Sequence, residues 1–508
     1  MISSQDVGEF VGLGACFVGM EEGSCRDWAR EYFGGMELGD ARLTARAVEM
    51  ACTAAGRPGG RVLDVYQTSA SRQGAYDFLE NAAAKGDAMV DGIGLATASG
   101  SQAHSYVLVS VDGSSLNIVD RAKNKGFGVV GNVNKSARGL KVVTAYALQP
   151  DGTPLGVLDQ QWWLRGVTKK DRAWRHRTTA QKETRYFNQA LEQCARRLEE
   201  RAPDTRAWFL LDRESDRRAT LDLARGMTQH WFTIRSNHDR RVLNMRERSG
   251  ALNHRRLFRN AKRRRFVSDS LRQAKVRGYL RLEVPARPGR RARTAVLSVR
   301  VIKPHVWLYS QKGPADVAQM TLVEVRETRS TPRGEEPLHW RLWTNYPVNS
   351  YEDAKLVVDN YAKRWRIEDF HKTWKSGACN VETCQLRSAE AVVKWATLMA
   401  SVAARIERLK HRSRTEPDLP ASVELNPYEI QSLIFFKRKY KKQTESISDD
   451  MPTLSQAVTW LAEIGGYMGP RATGGPPGSI TIRRGLEHIR PGALIFESMA
   501  SENVRKKR

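Results

Sequence analysis

Apolar and polar residues change their spacing several times along this chain, and each change marks a boundary. Up to about residue 100 the spacing is helical. Asp40 stands where an N-cap belongs, ahead of a helix over Ala41–Ala55 that Gly56-Arg57-Pro58-Gly59-Gly60 ends, and a second helical piece covers Gln73–Asn81. From Tyr106 β-rich runs take over. Tyr106–Val111 leads into Asp112, Lys141–Leu148 follows, and Gly156–Trp163 comes after a Pro150-Asp151-Gly152 turn. Next come a helix over Glu183–Arg201, a short apolar strand Ala207–Leu211 that delivers Asp212, a helix over Asp216–Met227 and a strand Trp231–Ile234. Three antiparallel strands, then alternating helix and strand, predict an α/β chain with a mixed sheet and helices packed on it.

Residues 237–347 break that pattern. Strand-like segments such as Ala295–Ile302 and His339–Thr344 appear, and Arg255–Arg293 holds 15 Lys or Arg against only Asp269 and Glu283. A run so unbalanced repels itself unless it meets an anion, so it reads as a basic β-rich insertion that touches a DNA backbone. A helix over Tyr351–Lys375 resumes the core, with Ser350 as N-cap and Asp353 at the capping-box position. Beyond Gly377 the chain is helical again, with an apolar stripe from Val392 to Leu409 and a short amphipathic helix Leu454–Ile464 ended by Gly465-Gly466. Lys437–Lys442 is a further basic cluster, and Arg505–Arg508 reads as an unstructured basic tail.

Charge narrows the partners. The 508 residues leave room for several domains, and 83 Lys plus Arg against 56 Asp plus Glu give a net charge of +27. Such a bias points to a polyanion, usually nucleic acid. A membrane role is disfavoured because no apolar run approaches the length of a spanning helix. Val11–Met20 is mildly apolar but follows Asp6 and Glu9, unlike a secretory signal. The six cysteines are scattered without a Cys-x-x-Cys pair, which suits reduced thiols, no structural zinc and a cytoplasmic or nucleoid setting.

Chemistry concentrates on the late helix. Tyr361, Arg364, Glu368 and Lys375 stand at offsets 0, 3, 7 and 14, within an arc of about 60° on an ideal α-helix. A carboxylate flanked by two cations and a phenol suits holding a metal against a phosphodiester. A solvated face with an ordinary ion pair gives the same pattern, and the helix alone leaves both readings open. Two-metal phosphoryl transfer needs carboxylates from separate elements; Asp112 sits within or just past the first apolar strand, and Asp212 ends another. Singly, either would read as a turn residue. Arg42 and Arg46 repeat on one side of the first helix and are candidate phosphate contacts.

Taken together, the residues resemble a known family, the DDE transposases of bacterial insertion sequences, within it the IS-four family. The motif Tyr-x2-Arg-x3-Glu-x6-Lys appears without a gap in Tyr361–Lys375. The runs DRESD at Asp212–Asp216, VSVDGSSL around Asp112 and EPLHWRLWTNYPV around Trp340 are similar as well, as are QGAYDF at Gln73–Phe78 and LAEIGGYM near the C-terminus. The resemblance runs from about Asp27 and implies a ribonuclease-H-like catalytic core over 105–377, with a β-strand insertion at about 237–347. A helical DNA-binding domain over 27–104 and a helical dimerisation domain over 378–508 would flank it, while residues 1–26 form an extension without a counterpart. It further implies that Asp112, Asp212 and Glu368 bind two Mg²⁺ ions, with Mn²⁺ able to substitute. Tyr361, Arg364, Lys375 and Arg235 would contact the DNA end, Trp340 would stack on a base flipped out as a hairpin forms, and Trp365 would contribute nearby. Partners would be double-stranded DNA, as terminal inverted repeats and as target, and a second copy of the chain. Ser236-Asn237-His238 departs from the basic pair the family carries near Arg235, so the second of those contacts is not carried over.

Two decoys drop out. Gly126-Phe127-Gly128-Val129-Val130-Gly131 spells a dinucleotide-type GxGxxG but lies between antiparallel strands with no helix opening on it. No GxxxxGK[ST] run occurs, which argues against an ATP-driven activity. Two rival functions remain: a recombinase with Tyr361 as nucleophile, which would leave three acids without a purpose, and a DNA-binding regulator, which would not need them. Metal dependence separates both from a transposase.

Overall fold

Short-range capping sets the first elements. The computed structural model describes residues 25–120, 125–131, 137–166, 181–243, 265–284, 291–308, 316–328, 331–332, 334–440, 445–473 and 475–506. The Val11–Met20 stretch, the basic run before Arg265, residues 285–290 and Lys441-Lys442 lie outside them. The N-terminal helices are α1 (Cys25–Phe33), α2 (Ala41–Gly56), α3 (Val62–Val65), α4 (Ser69–Glu80) and α5 (Gly86–Ser99). Asp40 caps α2 by accepting the Arg42 N–H at 2.8 Å. The predicted second helix starts earlier, at Ser69, because Thr68 supplies its cap.

Strands and helices then alternate as β1 (Tyr106–Asn117), β2 (Gly128–Val129), β3 (Arg138–Leu148), β4 (Pro154–Trp163), α6 (Arg185–Arg201), β5 (Arg206–Leu211), α7 (Arg218–Gly226) and β6 (Trp231–Arg235). The inserted region holds β7 (Arg241–Leu243), β8 (Arg265–Phe266), α8 (Val267–Gln273), β9 (Val276–Val284), β10 (Arg293–Ile302), β11 (His305–Leu308), β12 (Asp316–Gln319), β13 (Thr321–Glu327) and β14 (His339–Thr344). The last elements are α9 (Tyr351–Ala362), α10 (Arg366–Lys375), α11 (Ala389–Thr415), α12 (Pro427–Tyr440), α13 (Leu454–Ile464), α14 (Pro470–Thr473) and α15 (Ser479–Lys506). Helix α15 carries the start of the basic tail, which the sequence leaves unstructured.

The strand directions are those of a ribonuclease-H-like core: β3 and β4 run antiparallel, while β1, β5 and β6 are parallel. The chain forms two compact units, one of residues 1–101, 113–170 and 368–508 and the other of 102–112 and 171–367. The division falls inside β1, after Asp112, and inside α10, after Ile367.

In the first unit α11 is the central rod. It is buried around its whole circumference, Lys394, Arg405 and Glu407 included, so the sequence stripe understates its burial. Two of its polar side chains are satisfied by the N-terminal region: the Lys394 ammonium donates to the carbonyls of Leu79 and Asn81 at 2.9 and 2.7 Å, and the Trp395 indole donates to Gly60 at 2.8 Å. Strand β4 packs under α1 and α5, where Thr97 donates to Val157 O and Tyr32 to Leu155 O. Phe370 and Trp374 of α10 stack on each other and meet Tyr146 and Trp162 of β3 and β4. Near the C-terminus α12, α13 and α15 enclose a second apolar cluster. There a Cβ on Gly485 would meet the Leu461 carbonyl at 2.0 Å, so glycine lets α13 and α15 approach backbone to backbone.

In the second unit the parallel strands β1, β5 and β6 continue into antiparallel β14, β13, β10 and β9. Helix α9 lies on the last three strands of that row. Tyr351 at its start covers Gly278 and donates its hydroxyl to Tyr279 O at 2.7 Å. A small sheet of order β12-β11-β7-β8 completes the insertion. Gly126 and Gly131 take left-handed φ of 70° and 74° on either side of β2, which pairs antiparallel with β3, and among the described residues no helix opens on them, which argues against the dinucleotide reading.

Candidate active site

The two aspartates delivered by apolar strands are neighbours. Tyr106–Val111 of β1 pairs residue for residue with Arg206–Leu211 of β5, and the last pair is Val111 with Leu211. Asp112 and Asp212 are the next residue on each strand, so they stand side by side at the strand spacing of about 5 Å. Leu211 also pairs with Ile234 of β6, which puts Arg235 beside Asp212 on the other flank. The three residues form a row across three parallel strands, at the level where β5 and β6 end and β1 runs on. Of the two places the sequence allows Asp112, within the strand or just past it, the structure has the first, since β1 runs on to Asn117. Asp212 ends β5 and caps a 3₁₀ turn, Arg213–Ser215, its Oδ1 accepting the Glu214 N–H at 2.8 Å.

The late helix brings further groups to that row. Ser350 and Asp353 form the predicted capping box of α9, with bonds of 3.0 and 2.9 Å. The helix is not continuous to Lys375: a 3₁₀ turn, Lys363–Trp365, separates α9 from α10. Such a turn rotates the helix beyond it by about 60° relative to a continuous α-helix, so the ideal arc of the four motif residues does not carry over unchanged. Tyr361, at the end of α9, is only 4% exposed. Burial raises the pKa of its phenol, while Arg364 and Arg235 pull the other way and Asp212 adds to the rise. Arg364, in the 3₁₀ turn, places Nη1 4.0 Å from Oδ2 of Asp112. Burial lowers the pKa of Arg235, and Arg213 and Arg364 push the same way, against the opposing pull of Tyr361 and Asp212. Trp340 of β14 meets the Tyr361 ring edge to face, with centroids 5.4 Å apart.

The second unit thus gathers Asp112, Asp212, Arg235, Trp340, Tyr361 and Arg364. Trp365, also there, is 47% exposed. Glu368 lies in the first turn of α10 and Lys375 at its end, in the first unit, where the Lys375 ammonium is 3.6 Å from Glu382. Arg42 and Arg46 lie on α2; Arg42 has a side chain 94% exposed, while Arg46 donates to Glu49 at 2.8 Å.

Sequence reading missed part of the site. A cleft of about 350 Å³ is lined by Arg213, Arg235, Ser236, Asn237, His339 and Arg341. His339 and Arg341 flank Trp340 on β14, and the buried Glu324 holds both: His339 Nε2 meets its Oε1 at 2.8 Å and Arg341 Nε lies 3.6 Å away. Part of the signal was available, since Arg213 follows Asp212 directly and residues two apart on a strand, such as His339 and Arg341, share a face. A cleft with three guanidinium groups suits a phosphate.

Among the described residues no three His, Cys, Asp or Glu side chains converge as a metal cluster, while Asp112 and Asp212 are brought together by the β1–β5 pairing. Their hard oxygen donors, on neighbouring elements and beside the Arg364 and Arg235 guanidinium groups, fit a hard divalent ion. Among the described helices none is long and apolar enough to cross a membrane.

Two family models match the chain: a transposase DNA-binding domain over residues 25–84 and a transposase DDE domain over residues 176–404. The first contains α2 with Arg42 and Arg46. The second contains Asp212, Arg235, Trp340, Tyr361, Arg364, Glu368 and Lys375, and begins after Asp112. A DDE domain carries metal-dependent cleavage of DNA and strand transfer.

Proposed function

We propose, from the premise that this chain is a DDE transposase with its own DNA-binding domain, that it moves a DNA element by cutting and pasting. The reaction begins with nicking at the element's ends, passes through a hairpin and its resolution, and finishes with strand transfer into target DNA. The observation that carries this reading is the row Asp112, Asp212, Arg235 across three parallel strands, with Arg364 and Tyr361 beside it.

Asp112 and Asp212, with Glu368 as third acid, hold two divalent ions, Mg²⁺ in the cell and Mn²⁺ in substitution. Bound there, the ions supply Lewis acidity to the attacking and departing oxygens. Arg364, Arg235 and Lys375 grip phosphate oxygens of the DNA end, and the Tyr361 hydroxyl donates a hydrogen bond to them. Trp340 offers its indole to a base unstacked as the end folds into a hairpin, and Trp365 contributes next to it. Two copies act together, each on one end, in the nucleoid of a bacterial cytoplasm.

A nucleophilic Tyr361 is the weaker reading. Its phenol is buried and burial opposes its ionisation, which suits a hydrogen-bond donor and not an attacking phenolate.

The deciding experiment incubates the purified chain with linear DNA carrying the element's own ends, in Mg²⁺ and in EDTA, beside Glu368→Gln. Metal-dependent nicks and hairpin ends, absent from the variant, are expected. Binding without cleavage under every condition would reduce the chain to a DNA-binding regulator.

A further inference from the structure

The run Asp212–Asp216 contains a second aspartate with no part in metal or phosphate binding, and it is the more tightly held of the two. Asp216 is fully buried. Its Oδ2 accepts the backbone N–H groups of Asn237 and His238 at 2.7 and 3.1 Å and the Ser236 hydroxyl at 3.4 Å. Its Oδ1 accepts from Nη2 of Arg240 at 2.7 Å, and the same nitrogen reaches the Asp216 carbonyl at 3.0 Å. Arg240 is itself largely buried, its side chain 11% exposed.

Every one of those donors belongs to the loop that leaves β6 directly after Arg235. The acceptor closes the 3₁₀ turn that Asp212 caps, at the end of β5. Leu211 with Ile234 is the last register pair between the two strands, so past that point no sheet hydrogen bond joins them. The Asp216 carboxylate takes over where the sheet stops. The far side of the loop is anchored as well, because the Ser236 N–H donates to Arg341 O on β14 at 2.7 Å.

We propose that Asp216 is a positioning residue: it ties the turn carrying Asp212 and Arg213 to the loop end carrying Arg235, and so sets the spacing between metal ligand and phosphate-binding cations. The inference rests on the reading of Asp212 as a metal ligand. A carboxylate is needed because three neutral donors and one guanidinium all point at it; an amide in its place would turn an NH₂ toward donors and leave Arg240 without its counter-charge. Asp216 acts on Asp212 through the turn it closes, and groups that orient a metal ligand typically change metal affinity about 10–100-fold when removed.

The test uses the full chain and four measurements: Mn²⁺ binding by the resonance signal of free Mn²⁺, end-DNA binding in EDTA, thermal melting, and nicking against Mn²⁺ concentration. Asp216→Asn is expected to weaken Mn²⁺ binding by about 10–100-fold, to leave DNA binding within about twofold, and to recover most of its nicking rate at saturating metal. Arg240→Lys keeps the buried charge paired but loses the double contact, so it should weaken Mn²⁺ binding in the same direction and by less. Asp212→Asn is the control. If it binds Mn²⁺ like the parent, the ligand assignment itself fails, whatever Asp216→Asn does. If it loses Mn²⁺ while Asp216→Asn melts lower but keeps the parent's affinity, Asp216 serves folding alone and the proposal is overturned. Should Asp216→Asn not fold, Arg240→Lys decides: unchanged Mn²⁺ affinity overturns the proposal and weakened affinity supports it.

Discussion

The Trp340 indole meets the Tyr361 ring edge to face at 5.4 Å, although one residue sits on β14 and the other ends α9. The contact holds the indole against a phenol that is itself surrounded by Arg364, Arg235 and Asp212. An aromatic surface is thereby fixed next to the row of Asp112, Asp212 and Arg235.

Trp340→Ala removes that surface while leaving the acids and cations in place. First-strand nicking should fall by less than about threefold and hairpin formation by at least about tenfold, a difference of roughly 1.4 kcal/mol per decade. Trp340→Phe should restore most of the loss. Resolving nicked and hairpin products on denaturing gels checks this, and an equal fall in both would remove Trp340 from hairpin formation.

Arg364 lies 4.0 Å from Asp112 with its side chain 12% exposed, so its charge acts in a partly dry setting. Arg364→Ala should slow end cleavage by about 100-fold, near 2.7 kcal/mol, and lower the slope of end-DNA affinity against salt by about one. Arg364→Lys keeps the charge but not the fork, and should recover the slope more fully than the rate. Filter binding from low to high salt, with single-turnover cleavage, separates the two effects.

On α2 the two arginines differ in what they offer. Arg42 is almost fully exposed and only loosely paired, 3.7 Å from Asp40, whereas Arg46 is less exposed and hydrogen-bonds Glu49 at 2.8 Å. Arg42→Ala should weaken binding of the element end by about 3–10-fold with no change in melting temperature, the cost of one phosphate contact. Arg46→Ala should cost less. Equal binding by Arg42→Ala and the parent at several salt concentrations would place the DNA on another face of α2.

Glu324 carries a pH signature. Burial works against its charge, but the hydrogen bond from His339 and the charges of His339, Arg341 and Arg300 outweigh it and hold its pKa below the ordinary glutamate value. A depressed carboxyl pKa adds stability that is fully present above the unfolded value of about 4.3 and fades as pH falls through the lower folded value. Glu324→Gln should therefore melt several degrees lower than the parent at pH 7, and the gap should close as pH drops below about 4. A gap that stays constant from pH 7 to pH 3 would show that the glutamate charge is not what stabilises the fold.

Much of the site was legible residue by residue. Asp40 and Ser350 with Asp353 cap helices that begin where the sequence places them, and α13 and β14 keep their predicted bounds. Caps and alternation depend on neighbours within about four residues, so a local reading suffices. The same holds for Asp112 and Asp212 as residues delivered by apolar strands. Tertiary structure decided the rest. The register of β1 on β5 sets two aspartates a hundred positions apart side by side, and the pairing of β6 with β14 brings Arg235 near Trp340. The 3₁₀ turn at Lys363–Trp365 and the burial of Tyr361 have no local signal, and neither does Asp216, which the sequence places at the start of a helix but which closes a 3₁₀ turn and takes four donors from the loop after β6. Short-range hydrogen bonds are written in consecutive residues, whereas the register of parallel strands and the donors around a buried charge are settled only when distant segments pack against one another.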